Sequence, residues 1–163
     1  MNKKKLLVLL LALSLPLAGI ILWRTVQSGT CQVCDRGECK AVLFGLKSPW
    51  GFPVRTCCPR CGMIALRHSP GSDVTYATDF ATGQRVDAKK AFYVEGGDAV
   101  LCHKPEAFPD EVRGAANYTV YDRCLPSVLA FKDLDKAEAY VAEHGGRILS
   151  FAALKEELIK QGG

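Results

Sequence analysis

Cysteine carries the strongest chemical signal in this chain. Eight cysteines occur among the 163 residues, and all of them lie beyond residue 30. Two Cys-x-x-Cys pairs stand out, Cys31 with Cys34 and Cys58 with Cys61. Each pair directs two sulfurs toward one point, and four such sulfurs form the tetrahedral set that zinc prefers. In an oxidising compartment the same residues would instead form two disulfides. The pattern favours a metal and leaves both interpretations open.

Cys57 directly precedes Cys58. Neighbouring cysteines rarely bond to each other, because a disulfide needs Cα atoms roughly 5.5 Å apart in a suitable direction. Cys57 therefore has another role, as a fifth soft ligand, as the disulfide partner of Cys39, or as a small buried residue. The sequence does not rank these three roles.

Met63 and Cys124 are two further candidate ligands. Met63 follows Cys61 by two residues, and a thiolate with a thioether forms a soft pair suited to Cu(I). A lone methionine is more often a core residue, so this signal is weak by itself. Cys124 is expected either to form a disulfide with Cys102 or to complete a metal site with Cys61 or Met63.

The amino terminus predicts a membrane anchor. Residues 1–5 contain three lysines, and residues 6–23 are an uncharged, mostly apolar stretch of 18 residues, close to the roughly 20 that span a bilayer. No small-x-small cleavage site directly follows this stretch, which favours an uncleaved helix over a secretory signal. Under the positive-inside rule the lysines stay inside. We expect a single-pass protein of the cytoplasmic or plasma membrane, with residues 24–30 as a linker and the body in the periplasm or extracellular space.

Charge and motif content argue against several classes of protein. The net charge is +4, and without the three lysines near the start it is +1, from 18 basic and 17 acidic residues. A body so close to neutral gives no electrostatic basis for nucleic-acid binding. The chain has no H-E-x-x-H, G-x-S-x-G or P-loop motif, so we expect no enzyme. Neither Cys-x-x-Cys is expected to open a helix after a buried strand, which disfavours a thioredoxin-type oxidoreductase.

The strands and helices predicted from the sequence, which must position the candidate metal ligands, indicate an α+β architecture. Residues 31–62 are expected to form a cysteine-rich metal-knuckle segment around a hairpin, and residues 63–163 a small α+β domain. Strands are predicted at 41–46, 54–56, 73–78, 91–95, 118–121, 128–131 and 147–149. Helices are predicted at 134–144, capped by Asp133 and ended by Gly145, and at 151–161, capped by Ser150.

Three blocks of sequence resemble one known family. The segment 58–63, CPRCGM, resembles the CxxCGM motif of the NosL family of nitrous oxide reductase accessory proteins. Residues 86–94, VDAKKAFYV, are similar to that family's DARKAFYV segment, and the tail within 129–149 is similar to its closing strand–helix–strand. The resemblance covers about residues 58–155, and three blocks in the same order are more specific than CxxCGM alone.

The resemblance implies an extracytoplasmic, membrane-attached Cu(I)-binding protein that delivers copper to a copper enzyme. It also implies an α+β fold of two ββα-like halves, shared distantly with organomercurial lyases. Cys61 and Met63 match the motif positions that supply copper ligands. This chain departs from the pattern by an added cysteine group at 31, 34 and 39, and by Cys124 where a later methionine ligand is expected. The predicted metal ligands are therefore Cys31, Cys34, Cys58, Cys61, Met63 and Cys124.

Three functions are compatible with these sequence features. The first is a membrane-tethered Cu(I) chaperone or assembly factor for a client copper protein, without catalysis. The second is a zinc- or disulfide-stapled interaction module that does not deliver copper, in which Met63 is a core residue. The third, with the thinnest basis, is an organomercurial-lyase-like enzyme that uses Cys124 and Asp122.

Overall fold

A computed structural model describes residues 29–98, 107–112, 115–120 and 124–160. The chain divides into two units, Met1–Thr30 and Cys31–Gly163. The predicted anchor at 6–23 lies outside the described residues, and so do Cys102 and Asp122. Within the described ranges, no helix combines the length and apolar character needed to cross a membrane.

The first sheet is antiparallel and has four described strands. They are β1 (Phe44–Lys47), β2 (Pro53–Thr56), β3 (Asp73–Thr78) and β4 (Arg85–Asp87), in the spatial order β2-β1-β3-β4. Strands β1 and β2 form the expected hairpin, with Phe44 opposite Thr56 and Lys47 opposite Pro53. Helix α1 (Pro59–His68) connects β2 to β3, so the carboxyl end of β2 leads directly into the second Cys-x-x-Cys pair.

The second sheet contains three strands within the described residues. They are β5 (Phe92–Glu95), β8 (Val128–Phe131) and β9 (Arg147–Ser150), in the order β8-β5-β9 and antiparallel to β5. Strands β6 (Ala107–Val112) and β7 (Ala115–Val120) pair with each other between β5 and β8 in the chain. Helices α2 (Leu134–His144) and α3 (Phe151–Lys160) flank β9. The predicted α+β class is confirmed for the part of the chain described.

Local sequence patterns correctly predicted most features of the two carboxyl-terminal helices. Helix α2 has the predicted bounds and ends at Gly145, whose φ of 74° lies in the left-handed region that glycine tolerates. The Ser150 hydroxyl oxygen accepts a hydrogen bond from the Ala153 amide at 3.2 Å, so this predicted cap is confirmed. Asp133 occupies the N-cap position of α2, but its side chain makes no capping hydrogen bond, and that part of the prediction was wrong.

Helix α1 was not predicted. The sequence Cys-Pro-x-Cys-Gly suggested a knuckle turn, whereas Cys58 is the N-cap and Pro59 begins ten helical residues. Proline suits the first helical position, because its missing amide would have no partner there. The helix also crosses the boundary drawn at 62/63. Thus Cys58-x-x-Cys61 does open a helix, contrary to expectation, although the preceding strand β2 is a largely exposed edge strand.

Helix α1 lies between two clusters of buried side chains. Met63 and Leu66 belong to an apolar core that includes the aromatic residues Phe44 and Tyr93 and several aliphatic residues. Cys61 belongs to a second cluster, which contains most of the cysteines. Two residues along a helix turn the side chain by about 200°, so Cys61 and Met63 leave the helix on opposite sides.

Candidate metal centre

Six of the seven described cysteines carry free thiols, and five of these six are buried. They are Cys31, Cys34, Cys57, Cys58, Cys61 and Cys124, of which Cys34 is half-buried. The seventh, Cys39, is disulfide-bonded. Because neither Cys57 nor Cys124 is disulfide-bonded, the Cys39–Cys57 and Cys102–Cys124 disulfides considered from the sequence are not formed. The two Cys-x-x-Cys pairs are not disulfides either.

Cys57 lies at the middle of these thiols. Its Sγ is 3.5 Å from the sulfurs of both Cys34 and Cys124, 3.6 Å from that of Cys61 and 3.8 Å from that of Cys58. The Cys61 and Cys124 sulfurs are 3.7 Å apart. A metal–sulfur bond of about 2.3 Å in tetrahedral geometry gives a sulfur–sulfur separation of about 3.8 Å. These separations match the distance between two sulfur ligands of a tetrahedral metal ion.

Two groups of four thiols each have all their sulfurs within 4.8 Å of one another. Among the described residues, one group is Cys31, Cys34, Cys57 and Cys61, and the other is Cys57, Cys58, Cys61 and Cys124. We call all six residues the thiol cluster. Neither group includes a histidine or a carboxylate, so the described donor set is entirely sulfur. Such a set suits soft or borderline ions such as Cu(I) and Zn(II).

Three parts of the chain bring the thiol cluster together. Cys31 and Cys34 lie in a turn in which the Asp35 amide donates to the Cys31 carbonyl oxygen at 3.0 Å. Cys57, Cys58 and Cys61 lie at the junction of β2 and α1, and Cys124 precedes β8. The junction is held by the buried Thr56 hydroxyl, which is 3.0 Å from the Phe44 carbonyl oxygen and 3.2 Å from that of Cys58.

Arg60 links helix α1 to the segment that carries Cys124. Its Nε donates to the Pro126 carbonyl oxygen at 3.1 Å, and its Nη2 donates to Glu95 at 3.4 Å. Glu95 is 6% exposed and also accepts a hydrogen bond from Arg147 Nε at 3.0 Å. A buried carboxylate between two guanidinium groups is well compensated. Arg60 thus positions Cys124 against the three cysteines of the β2–α1 junction.

Replacing Arg60 with alanine is expected to weaken metal binding without removing a sulfur. Substitution of residues that orient metal ligands typically costs about 10- to 100-fold in affinity, and we expect a loss in this range. Competition with a chromophoric chelator measures it. Arg67→Ala, on the last turn of the same helix, is the matched control and should leave affinity unchanged. Equal affinities for the two variants would contradict the positioning role.

The thiols differ in acidity because their surroundings differ. Burial raises the pKa of Cys34 to about 11, whereas the hydrogen bond with the Cys57 thiol lowers the pKa of Cys124 to about 7. Hydrogen bonds with Cys124 and Cys57 lower the pKa of Cys58 well below its ordinary value. Because metals bind thiolates, loading the thiol cluster releases the protons that remain on its sulfurs.

The structure brings together five of the six residues predicted as ligands. These five are Cys31, Cys34, Cys58, Cys61 and Cys124. Met63 is fully buried in the apolar core instead. Cys57, whose role the sequence left open, belongs to both groups. One signal for it was available, because Cys57 precedes Cys61 by four residues, a spacing that often brings side chains together near a helix start.

Comparison with known proteins supports the fold assignment. No protein-family model matches this chain, and no curated protein matches its sequence. The fold is similar to the crystal structure of the copper chaperone NosL from Shewanella denitrificans, with a TM-score of 0.57 and 14% sequence identity over 77% of this chain and 88% of that chain. The predicted NosL resemblance is confirmed at the level of the fold.

The fold and the thiol cluster together define a class of protein, a NosL-like α+β fold that carries cysteines able to hold a metal. The expectation that this chain is not an enzyme stays a prediction, because the similarity concerns the fold. The organomercurial-lyase hypothesis required Asp122, which lies outside the described residues. Within the described part, the two thiol groups contain no carboxylate.

Proposed function

We propose that this chain is a membrane-anchored, extracytoplasmic Cu(I)-binding protein that passes copper to a client copper enzyme. The observation that carries the proposal is the thiol cluster, six free cysteines gathered from three parts of the chain. Thiolate ligands select soft ions such as Cu(I). The similarity in fold to a copper chaperone supports the same function.

The exposure of the thiols suits a protein that both holds and releases its ion. Cys31, Cys57, Cys58, Cys61 and Cys124 are each at most 8% exposed, whereas Cys34 is half-buried. Buried ligands shield the ion from water and oxidants. A client thiolate reaches the ion by ligand exchange at the Cys34 side, where the described surface is more open.

The redox state of the cysteines supports a site outside the cytoplasm. Cys39 is disulfide-bonded, and disulfides persist mainly in oxidising compartments. Six neighbouring free thiols in such a compartment would tend to oxidise unless a metal protected them. The uncharged stretch at 6–23 supplies the proposed membrane anchor, with the lysines inside and residues 24–163 outside.

A zinc-stapled interaction module is the second candidate. The sulfur–sulfur distances of 3.5 to 3.8 Å suit tetrahedral zinc as well as copper. The two candidates differ in how readily the bound metal ion leaves the protein. A structural zinc site keeps its ion, whereas a chaperone transfers Cu(I) to an acceptor.

The test is a Cu(I) titration of the full chain, purified without oxygen in detergent micelles, against a chromophoric chelator. We expect tight Cu(I) binding and a loss of more than about 100-fold in Cys61→Ser, since a direct ligand outweighs the residues that orient it. Met63→Leu, which conserves volume, should change Cu(I) affinity little and cost under about 1.5 kcal/mol in stability. Transfer of the bound Cu(I) to a thiol-containing acceptor is expected within minutes.

Two outcomes would overturn this proposal. Unchanged Cu(I) affinity in Cys61→Ser would place copper elsewhere. Tight zinc that resists exchange with Cu(I), at stoichiometric content in the purified chain, would favour the stapled module. A large loss of affinity in Met63→Leu would restore Met63 to the ligand set and contradict its assignment to the apolar core.

A further inference from the structure

We infer that the thiol cluster is a binuclear centre in which two metal ions share the sulfurs of Cys57 and Cys61. This inference rests on the proposed function, because it requires that the thiol cluster bind metal. It goes further by stating how many ions bind and which thiolates bridge them. The ions are of one chemical class, soft or borderline and thiolate-seeking, either Cu(I) or Zn(II).

The first argument is the composition of the two groups. Within the described residues, each contains four sulfurs within 4.8 Å of one another, and both contain Cys57 and Cys61. The sulfurs of these two residues are 3.6 Å apart, which suits a shared edge of two tetrahedra. Cys31 and Cys34 are then terminal ligands of one ion, and Cys58 and Cys124 are terminal ligands of the other.

The second argument is the number of sulfurs. One tetrahedral ion uses four ligands and would leave two of the six free thiols without metal. Two separate four-sulfur sites need more thiols than the described part of the chain provides. Six sulfurs satisfy two four-coordinate ions only when two thiolates bridge, and the structure places two cysteines in both groups.

The third argument is charge. Five of the six thiols are buried, and buried charge is costly unless it is compensated. Each added cation lowers the net negative charge of a cluster of six thiolates. Among the described residues, the guanidinium group of Arg60 is engaged by Glu95 and the Pro126 carbonyl oxygen. The positive charge of Arg60 is therefore used by Glu95 and does not offset the negative charge of the thiolates. A second metal ion supplies that positive charge.

The test counts ions in the full chain, purified without oxygen in detergent micelles. Zn(II) is measured by elemental analysis after loading, and Co(II) by its thiolate charge-transfer absorption during titration. We expect two ions per chain in the unsubstituted protein. Cys31→Ser removes a terminal ligand of one ion and Cys124→Ser of the other, so each variant is expected to retain one. The double variant should retain none of the tight sites.

A second measurement tests bridging without relying on the count. Two Co(II) ions joined by thiolates couple magnetically, which lowers the magnetic moment per ion. We expect the moment per ion to be lower in the doubly loaded protein than in singly loaded Cys31→Ser. Cys34→Ser serves as the second variant of the same group if Cys31→Ser does not fold, as judged by circular dichroism. Loading with Cu(I) in parallel shows which ion fills the centre more tightly.

The outcomes separate this inference from the proposed function. One ion per chain in the unsubstituted protein would overturn the binuclear centre and leave a copper-binding function intact. Two ions with no magnetic coupling would also overturn bridging by Cys57 and Cys61. No bound ion of either kind would overturn both proposals.

Discussion

Cys57→Ser is expected to lower metal affinity by more than about 100-fold, a larger loss than substitution of any cysteine that belongs to a single group. Cys57 lies 3.5 to 3.8 Å from four other sulfurs and belongs to both groups of thiols. Serine keeps the size of the side chain but replaces a soft sulfur with an oxygen that soft ions bind poorly. Chelator competition with Cu(I) measures the loss.

Cys34→Ser is the matched control for this prediction. Cys34 is half-buried and belongs to one group, so its loss leaves Cys57, Cys58, Cys61 and Cys124 as a complete set of four. We expect a smaller loss of affinity than in Cys57→Ser. Equal losses in the two variants would contradict the central place of Cys57, and an unchanged affinity in Cys57→Ser would contradict its role as a ligand.

Gly62→Ala is expected to destabilise the fold by about 1–3 kcal/mol, the usual cost of overpacking a filled core. Helix propensity alone predicts the opposite sign, since alanine is favoured over glycine by about 1 kcal/mol inside a helix. A methyl group at Gly62 would overlap the ring of Phe44, which is fully buried on β1. The sign of the measured change in a urea unfolding curve therefore decides between packing and propensity.

Phe44→Leu provides the partner for a double-substitution cycle. By removing the ring that a methyl at Gly62 would meet, it should relieve the cost of Gly62→Ala, so the two changes together should be less destabilising than their sum. Gly62→Ala should also weaken metal binding, because Gly62 directly follows Cys61. A stabilised Gly62→Ala protein with unchanged metal affinity would show that the contact between α1 and β1 is not close.

The structure gives a physical reason for the glycine at position 62 of the Cys-Pro-Arg-Cys-Gly-Met segment. In the sequence, Gly62 is the last residue of the predicted metal-knuckle segment at 31–62. In the structure it lies inside α1 and permits the helix to pack on Phe44. The same helix explains the separation of Cys61 from Met63, since two residues along a helix cannot direct side chains to one ion.

Much of the fold was predictable because its signals are local. Strand β3 and helix α2 have the predicted bounds, and Gly145 and Ser150 end or begin their helices as expected. Alternation of side chains, capping hydroxyls and glycines act within a few residues, so a sequence displays them directly. Helix α1 was not predicted, because residues such as Pro59 and Gly62 are typical of turns as well as of helix starts and close packing.

The sequence by itself determined the kind of chemistry available. Its eight cysteines and the Cys-Pro-Arg-Cys-Gly-Met segment predicted a soft-metal site and a NosL-like fold, and the structural similarity agrees with the predicted fold. Only the tertiary structure decided which sulfurs meet. Cys31, Cys57 and Cys124 are far apart in the chain, and the packing of a turn, a helix start and the segment before β8 brings them together. Ligand sets of this kind depend on long-range contacts, which spacing along one chain does not specify.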